Sequence, residues 1–573
     1  MTNHPRSKII VLEAMLIAAT AFCKPSPSLV ADARERLRQI VITGRLEDLN
    51  RPDFSDYQAR ANSFYERSGF ALAWVQNGFV TPQAIRLIRI LQQADDKGLH
   101  AEDYDGPRWA DRLAVLRHSP SAAAVACFDV ALTVSIMRYV SDLHLGRVNP
   151  RRFRFNIESS PMKYDLPSFL RERLVSGADV EAQLAQLEPP FAGYKRTLSA
   201  LQRYVGFAHR DKAERLPPPR RALDPGSPYQ GIPRLISLLR LLGDLPAGEA
   251  LRESSKVYDG ALIPAVKHFQ DRHGLAPDGR LTVQTVKQLN VPLESRVEQL
   301  RLTLERWRWV SREFQQPPIV INIPEFCLRA FDSPEKIVLQ MNVIVGKAYR
   351  HETPIFEGDM KYVVFRPYWD VPLSILRSEI VPSIRRDRSY IDKNNYEIVT
   401  PEGRIMPPGE IGDDVLQQLS TGKLVVRQKP GPENALGLVK FVFPNKYNVY
   451  LHSTPSALLF SQARRDFSHG CIRVDHPALL AEWVLHDMPG WNLELVRTAM
   501  EGVEDNLQVK LTKPIPVLIL YGTAVVDDQG LVHFFDDIYG FDSMLEKALA
   551  KRYLASRPGL KRASGTSPFS PDR

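Results

Sequence analysis

Along the first third of the chain apolar positions recur at helical spacing. Ile85, Ile88 and Leu91 share a face with Gln92, and Ala131 to Leu145 reads as another amphipathic run. The pattern predicts a mainly helical region from about Arg34 to Arg215. Leu216 to Pro233, with PPPRR, DPGSP and a GIP turn, has the composition of a linker, and Leu235 to Leu242 opens a short helix. Arg296 to Trp309 reads as a connecting helix in which Trp307 and Trp309 pack. After Pro317-Pro318 the period falls to two, through Ile319 to Ile323, Ile337 to Val345 and Tyr362 to Phe365. A β-rich region begins there. An insertion from Pro372 to about Lys423 looks helical at first (ILRSEIVPSIRRD) and then loop-like. Asn448 to Leu451 reads as a strand ending at His452-Ser453, and Ile472 to Val474 as another strand or strand edge. Pro477 to Leu485 follows as a helix. Pro516 to Leu520 and Thr523 to Val526 are strands, with a turn at Asp527 to Gly530. The last residues, Arg557 to Arg573, are Pro/Ser/Gly-rich and predict disorder.

A chain of 573 residues is too long for one core, and three or four domains are expected. Hydrophobic content of 44% and charged content of 25% are ordinary for globular proteins. The formal charge of +9 fits an anionic surface or polymer, and equally a generally basic proteome. No long Lys/Arg tract and no aromatic-basic interleaving argues for nucleic acid. The four cysteines, Cys23, Cys127, Cys327 and Cys471, form no CxxC and no dense framework, so disulfides are not what holds this fold. Arg6 and Lys8 precede an apolar run from Ile9 to Phe22, the layout of a secretory signal peptide, although Glu13 interrupts it. Ala31-Asp32-Ala33 offers a cleavage site, which sets a leader of 1–33. Thr20 to Cys23 matches a lipoprotein box poorly, so lipidation of Cys23 stays open. With no other long apolar stretch, the mature chain is expected to be soluble or peripheral and exported, without a transmembrane segment.

One cysteine has a plausible chemical setting. His452 lies nineteen positions before Cys471. Pro455 and the polar run Ser461 to Ser468 can turn the chain back, bringing imidazole beside thiol. A free thiol, with a pKa of roughly 8.5, is only a few per cent thiolate at neutral pH. A neighbouring imidazole can take its proton or hold the pair as thiolate and imidazolium. Gly470 leaves room for a substrate carbonyl, and the amides of Gly470 and Cys471 are candidate oxyanion donors. The carbonyl or hydroxyl of Ser453 is placed to fix the ring's tautomer. Two other readings stand beside this one: a small buried cysteine with core histidines, and a metal site from His452, His469 and Cys471, for which no further ligand at a telling spacing is evident.

The pattern His452-Ser453 … Ser468-His469-Gly470-Cys471-Ile472-Arg473 resembles the active-site signature of the L,D-transpeptidases, the YkuD-type cysteine enzymes of bacterial cell walls. VGKAYRHETPIF (Val345 to Phe356), FRPYWDVP (Phe365 to Pro372) and RQKPGPENALGLVKFVFPN (Arg427 to Asn445) agree with the larger, scaffold-bearing members, as do FYERSGFALAWVQNG, DDKGLHAEDY, SDLHLGRVNP and FFDDIYGFD. Val257 to Pro292 resembles a small three-helix peptidoglycan-binding domain, with Val266, Phe269 and Leu275 as its core and a turn at Asp278-Gly279. Direct wall binding and a mere packing role are both open for it.

The resemblance implies a multidomain α+β protein. Behind the leader come a helical scaffold domain (34–215), a linker (216–233), a peptidoglycan-binding-like module (234–295) and a connecting helix (296–317). A β-rich YkuD-type catalytic domain (318–500) with a helical lid insertion (372–423), a C-terminal extension (501–556) and a tail (557–573) complete it. Cys471 would attack the third-residue carbonyl of a tetrapeptide stem and expel the terminal D-Ala. His452 would shuttle the proton, and an amine of a second stem would resolve the thioester as a 3→3 cross-link. Water as acceptor would give an L,D-carboxypeptidase, and a protein amine would attach that protein to the wall; a non-catalytic wall-binding protein is the remaining alternative. Neither metal nor other cofactor is implied. The implied partners are donor and acceptor stems, with carbapenems as covalent inhibitors. Substrate contacts are expected from Arg473, His469, Ser468, Tyr368 and Trp369. Arg473 either holds a stem carboxylate or braces an internal one, and Tyr368 and Trp369 either line the groove or pair in the core.

Overall fold

The computed structural model describes residues 27–554 apart from 154, 158–164, 212–213, 247, 249–255, 315, 334–335, 401 and 407–410. Most of the expected leader, with Cys23, and the expected tail lie outside the described residues. The described end of the leader, from Pro27, is already helical (Pro27–Thr43), and Ala33 is buried in the scaffold core.

The N-terminal helices surround Ala122–Leu145, a 24-residue helix expected to be amphipathic but buried on nearly every side. It is the one described helix long and apolar enough to cross a membrane by length and composition, and 83% of its apolar window is buried inside the protein. A long apolar stretch therefore does exist beyond the leader, and it serves as the scaffold's core. Its buried Asp129 is satisfied from outside the helix, accepting from the amides of Ala73 and Trp74 and from the Tyr65 hydroxyl.

Residues 216–233 do not form a free linker. Leu216 and Tyr229 are buried in the core of the next unit, Leu223 bridges Leu281, and Asn290 exchanges hydrogen bonds with the Leu216 backbone. That unit has the helices Ile232–Leu242, Leu262–Asp271 and Val283–Leu289. Val266 and Phe269 lie in its core, but Leu275 is only half-buried, and Tyr258, Leu262 and Leu281 fill the space instead.

The helix Leu293–Trp307 packs against Ala192–Arg210, with Leu300 and Leu304 buried between them. Its Glu305 is buried, accepting from the amides of Arg147 and Val148 and pairing with Arg308 at 3.4 Å.

The C-terminal half is a sheet that returns to its start. Its order is Val439–Val442, Leu451–His452, Ile472–Val474, Lys336–Gly346, Cys327–Ser333, Ile319–Asn322, Leu507–Leu520 and Ile355–Phe365, and the last pairs with the first. Closure leaves none of these strands as a bare edge. The β-rich domain, expected to end at residue 500, therefore extends past it. Leu507–Leu520, expected to lie in an extension, runs between Ile319–Asn322 and Ile355–Phe365. Inward-facing Ile319, Ile321, Val343, Val363, Phe441, Leu451, Ile472 and Val517 fill the interior.

The insertion is more ordered than its loop-like sequence suggests. Trp369–Asp370, Val425–Gln428 and Tyr396–Val399 form a three-stranded sheet. The helices Val381–Arg386 and Asp413–Thr421 pack with it around Ile384, Leu416, Leu419 and Val426.

Replacing Glu305 by alanine strands the fully buried Arg308 and two scaffold amides. Denaturant unfolding followed through Trp74 and Trp109 is expected to show a loss of about 3 kcal/mol, against under about 0.5 kcal/mol for an exposed control such as Glu294→Ala.

Candidate active site

Two strands place the candidate nucleophile and its candidate base. Leu451–His452 and Ile472–Val474 run parallel, with Leu451 opposite Ile472 and His452 opposite Arg473. Leu451 and Ile472 are fully buried in the barrel core. Side chains alternate across a strand, so Tyr450, His452, Cys471 and Arg473 share the outer face. On the other flank Lys440 stands opposite His452. One cross-strand row therefore reads Lys440, His452, Arg473, with Tyr450 and Cys471 beside it.

His452 is buried, and its Nδ1 lies 2.5 Å from the Ser453 carbonyl. The Ser453 carbonyl, not its hydroxyl, thus fixes a tautomer with the proton on Nδ1 and the lone pair on Nε2. Ser453 is itself pinned, its amide donating to Val439 at 2.9 Å. A Cβ on Gly437 would fall 2.5 Å from Ser453 Oγ, so only glycine fits over this turn.

The half-buried Cys471 Sγ donates to the Asn448 carbonyl at 3.7 Å and receives the amide and hydroxyl of Tyr450. No hydrogen bond joins Sγ to the imidazole; the two share a face on neighbouring strands. The Tyr450 hydroxyl in turn takes a hydrogen bond from the Trp369 side chain, and Lys440 Nζ sits 3.9 Å from the Tyr450 ring centre.

The SHGC loop is stapled to itself. Ser468 Oγ donates to the Cys471 carbonyl at 2.5 Å and accepts from the Gly470 amide at 3.1 Å. The Gly470 amide, expected to face an oxyanion, is thus engaged, while the Cys471 amide makes no hydrogen bond among the described residues. Gly470 adopts φ +120°, a conformation other residues resist. Buried Thr353 supports the loop from below. Its Oγ1 donates to the Gly470 carbonyl at 2.8 Å and accepts from the Gly346 amide, and its own amide donates to Tyr539 Oη.

His469 and Tyr368, expected to contact substrate, each have a partner within the protein. His469 Nε2 lies 2.7 Å from Glu379 of the insertion, and its ring stands 4.8 Å from that of His351. His452, His469 and Cys471 do not converge, and no group of three His, Cys, Asp or Glu side chains suited to a metal occurs among the described residues. The Tyr368 ring lies under the Arg427 guanidinium at 4.3 Å.

Electrostatics make the resting pair neutral. Burial, then Arg473 and Lys440, push His452 down to about 3, against the opposing carbonyls of Ser453 and Leu436. Burial raises the Cys471 thiol, partly offset by Tyr450, Lys440 and Arg473. At pH 7 the site holds a thiol and a free-base imidazole, not an ion pair. Since the folded value of His452 lies below the ordinary 6.5, its neutral form favours folding above that pH. The contribution is lost as pH falls toward 3.

Comparison with known proteins follows the same division of the chain. A family model described as the L,D-transpeptidase catalytic domain, YkuD, matches residues 317–518, and a Scaffold domain model matches 59–201. This chain carries a YkuD L,D-transpeptidase catalytic domain behind a Scaffold domain. A curated Haemophilus influenzae protein, named provisionally an L,D-transpeptidase, is 30% identical over 290 residues, covering 49% of this chain. The match spans only 57% of that relative's length. Among solved structures, the Ldtfm-avibactam carbamoyl enzyme is 10% identical with a TM-score of 0.15, covering 40% of this chain and 64% of the other. A fused Zn-dependent amidase/peptidase/peptidoglycan-binding protein of Clostridium acetobutylicum is 12% identical with a TM-score of 0.14, covering 52% of this chain and 99% of the other. Scores this low establish neither a shared fold nor a shared chemistry. In the YkuD domain, Tyr450, Lys440 and Thr353 are site residues that sequence reading missed. Only Tyr450, two positions before His452 on one strand, carried a local signal.

Two outcomes are expected. Alkylation of Cys471 by iodoacetamide, corrected with Cys471→Ala, should climb steadily into the alkaline range; a plateau at neutral pH would reveal a preformed thiolate. Thr353→Val, which leaves two buried backbone groups unpaired, should lower unfolding free energy by about 2–4 kcal/mol, whereas Thr353→Ser should stay near wild type.

Proposed function

We propose that this protein is a cell-wall L,D-transpeptidase that joins peptidoglycan stems by 3→3 cross-links through a Cys471 thioester. The observation that carries the reading is the shared outer face of the half-buried Cys471 and the buried His452 inside the YkuD domain. A turn about the Cys471 Cα–Cβ bond releases Asn448 and Tyr450 and carries the sulfur toward His452 Nε2. That nitrogen takes the thiol proton as sulfur attacks the third-residue carbonyl of a tetrapeptide stem. The uncommitted Cys471 amide faces the developing oxyanion. Collapse breaks the amide bond, and His452 returns the proton to the departing D-Ala amine. The side-chain amine of a neighbouring stem then attacks the thioester. Its proton passes to His452, the new amide forms, and the thiol is regenerated. Water in the amine's place gives L,D-carboxypeptidase activity, and a protein amine gives attachment to the wall.

A location outside the cytoplasmic membrane, in the periplasm or cell envelope, goes with this reading and is supported by the signal-peptide layout of Arg6, Lys8 and Ile9 to Phe22. The three-helix unit at 232–289 serves there to hold the enzyme against glycan or simply to brace the body.

Intact mass of the full chain after exposure to tetrapeptide stems, and separately to a carbapenem, tests the reading. Wild type should gain one covalent adduct with D-Ala release from the stem, and Cys471→Ala should gain none and lose at least about a thousandfold in turnover. An unmodified wild type with both reagents, or an adduct retained in Cys471→Ala, would overturn it.

A further inference from the structure

The row Lys440–His452–Arg473 holds two cations that the steps above leave unused. Both are half-buried, and both stand on the outer face, one on each side of His452. Other arginines of the same domain hold carboxylates: Arg329 with Glu325, Arg366 with Asp505, Arg427 with Glu397 and Arg464 with Asp466. Lys440 and Arg473 do not. Among the described residues no carboxylate lies within 4 Å of either. Lys440 rests on the Tyr450 ring and feels Asp370 only at longer range. The Nε of Arg473 is buried without a hydrogen-bond partner. Partly desolvated charge without a counter-ion is unfavourable unless something supplies one. Here the two charges flank the candidate base beside the nucleophile.

We propose that Lys440 and Arg473 form a carboxylate cradle across His452, which seats an acyl donor carrying a free carboxylate within about one residue of the scissile bond. The inference rests on the transpeptidase reading and specifies its substrate: an anionic peptide, not an amidated one. Arg473 offers a planar pair of N–H donors and Lys440 a point charge opposite it. Two carboxylates of a tetrapeptide stem meet the description: the far centre of the diamino acid at position three, and the C-terminus of the departing D-Ala. Seating either one also cancels the two charges that weaken His452, so the base gains strength when the donor is in place.

Binding tests the cradle apart from the chemistry. In full-length Cys471→Ala protein, calorimetry would compare a free-acid tetrapeptide with its side-chain amide and its C-terminal amide. The amide that removes the seated carboxylate should bind about tenfold more weakly, and which of the two does so identifies the source. Adding Lys440→Gln should weaken the free acid about tenfold and erase the acid-to-amide difference, while Lys440→Arg should keep it, each at an unchanged melting temperature. Equal affinity for the acid and both amides in the Cys471→Ala protein would overturn the proposal. So would an acid-to-amide difference that survives both Lys440→Gln and Arg473→Gln. Because no turnover is required, failure of the thioester chemistry would appear in the mass experiment and leave this result readable.

Discussion

Everything at this site depends on the pleat of two short strands in a closed sheet. Leu451 and Ile472 point inward and are fully buried, which sends His452, Cys471 and Arg473 outward. The side-chain period is two, so a one-residue slip of either strand would bury the reacting groups and expose the leucine and isoleucine. Each of those apolar side chains contributes roughly 1.5–3 kcal/mol by burial, more than an ordinary hydrogen bond. Closure adds to this, because a slipped strand would lose pairing on both sides. Core packing and placement of the candidate nucleophile are therefore one decision.

The same arrangement sets the charge state. A row of Lys440, His452 and Arg473 puts an imidazole between two cations while its ring is buried, and both effects keep it unprotonated. The sulfur has the opposite problem: burial disfavours thiolate, and the cations and Tyr450 only partly offset it. A thiol that rests protonated avoids reacting with stray electrophiles. On the proposed reading it needs a base that is free at neutral pH, and the depressed imidazole fits that role.

Sequence reading reached the pieces that are local. Cys471, His452, the change of period after Pro317-Pro318 and the Pro477–Leu485 helix all leave signals within a few residues. What it missed depends on register or on distance. Lys440 meets His452 only because two strands pair at one offset, and Thr353 reaches Gly470 across more than a hundred residues. Leu507–Leu520 carries Lys513-Pro514, which reads as a break, yet the pairing shifts there and the strand continues. Leu216–Pro233 has linker composition, but its few apolar residues, Leu216 and Tyr229, find a core to enter. The insertion looked loop-like because its strands are four residues or shorter and are stabilised by each other rather than by length.

The SHGC loop is held differently on its two sides, and the magnitudes decide which side can move. Toward the C-terminal segment, Tyr539 donates to the Gly346 carbonyl, accepts from the Thr353 amide, and thereby fixes the Thr353 bond to Gly470. All of these groups are buried, and leaving any one unpaired costs about 1–3 kcal/mol. Toward the insertion, His469 meets Glu379 in an exposed pair, an arrangement that contributes about 0–1 kcal/mol and weakens with salt. A hydrogen bond from Trp369 to Tyr450 also links the base of the insertion to the thiol's surroundings. The brace is therefore the fixed side and the insertion the yielding one. A substrate that opens the insertion would disturb Tyr450 and the sulfur while leaving Gly470 and Ser468 where they are.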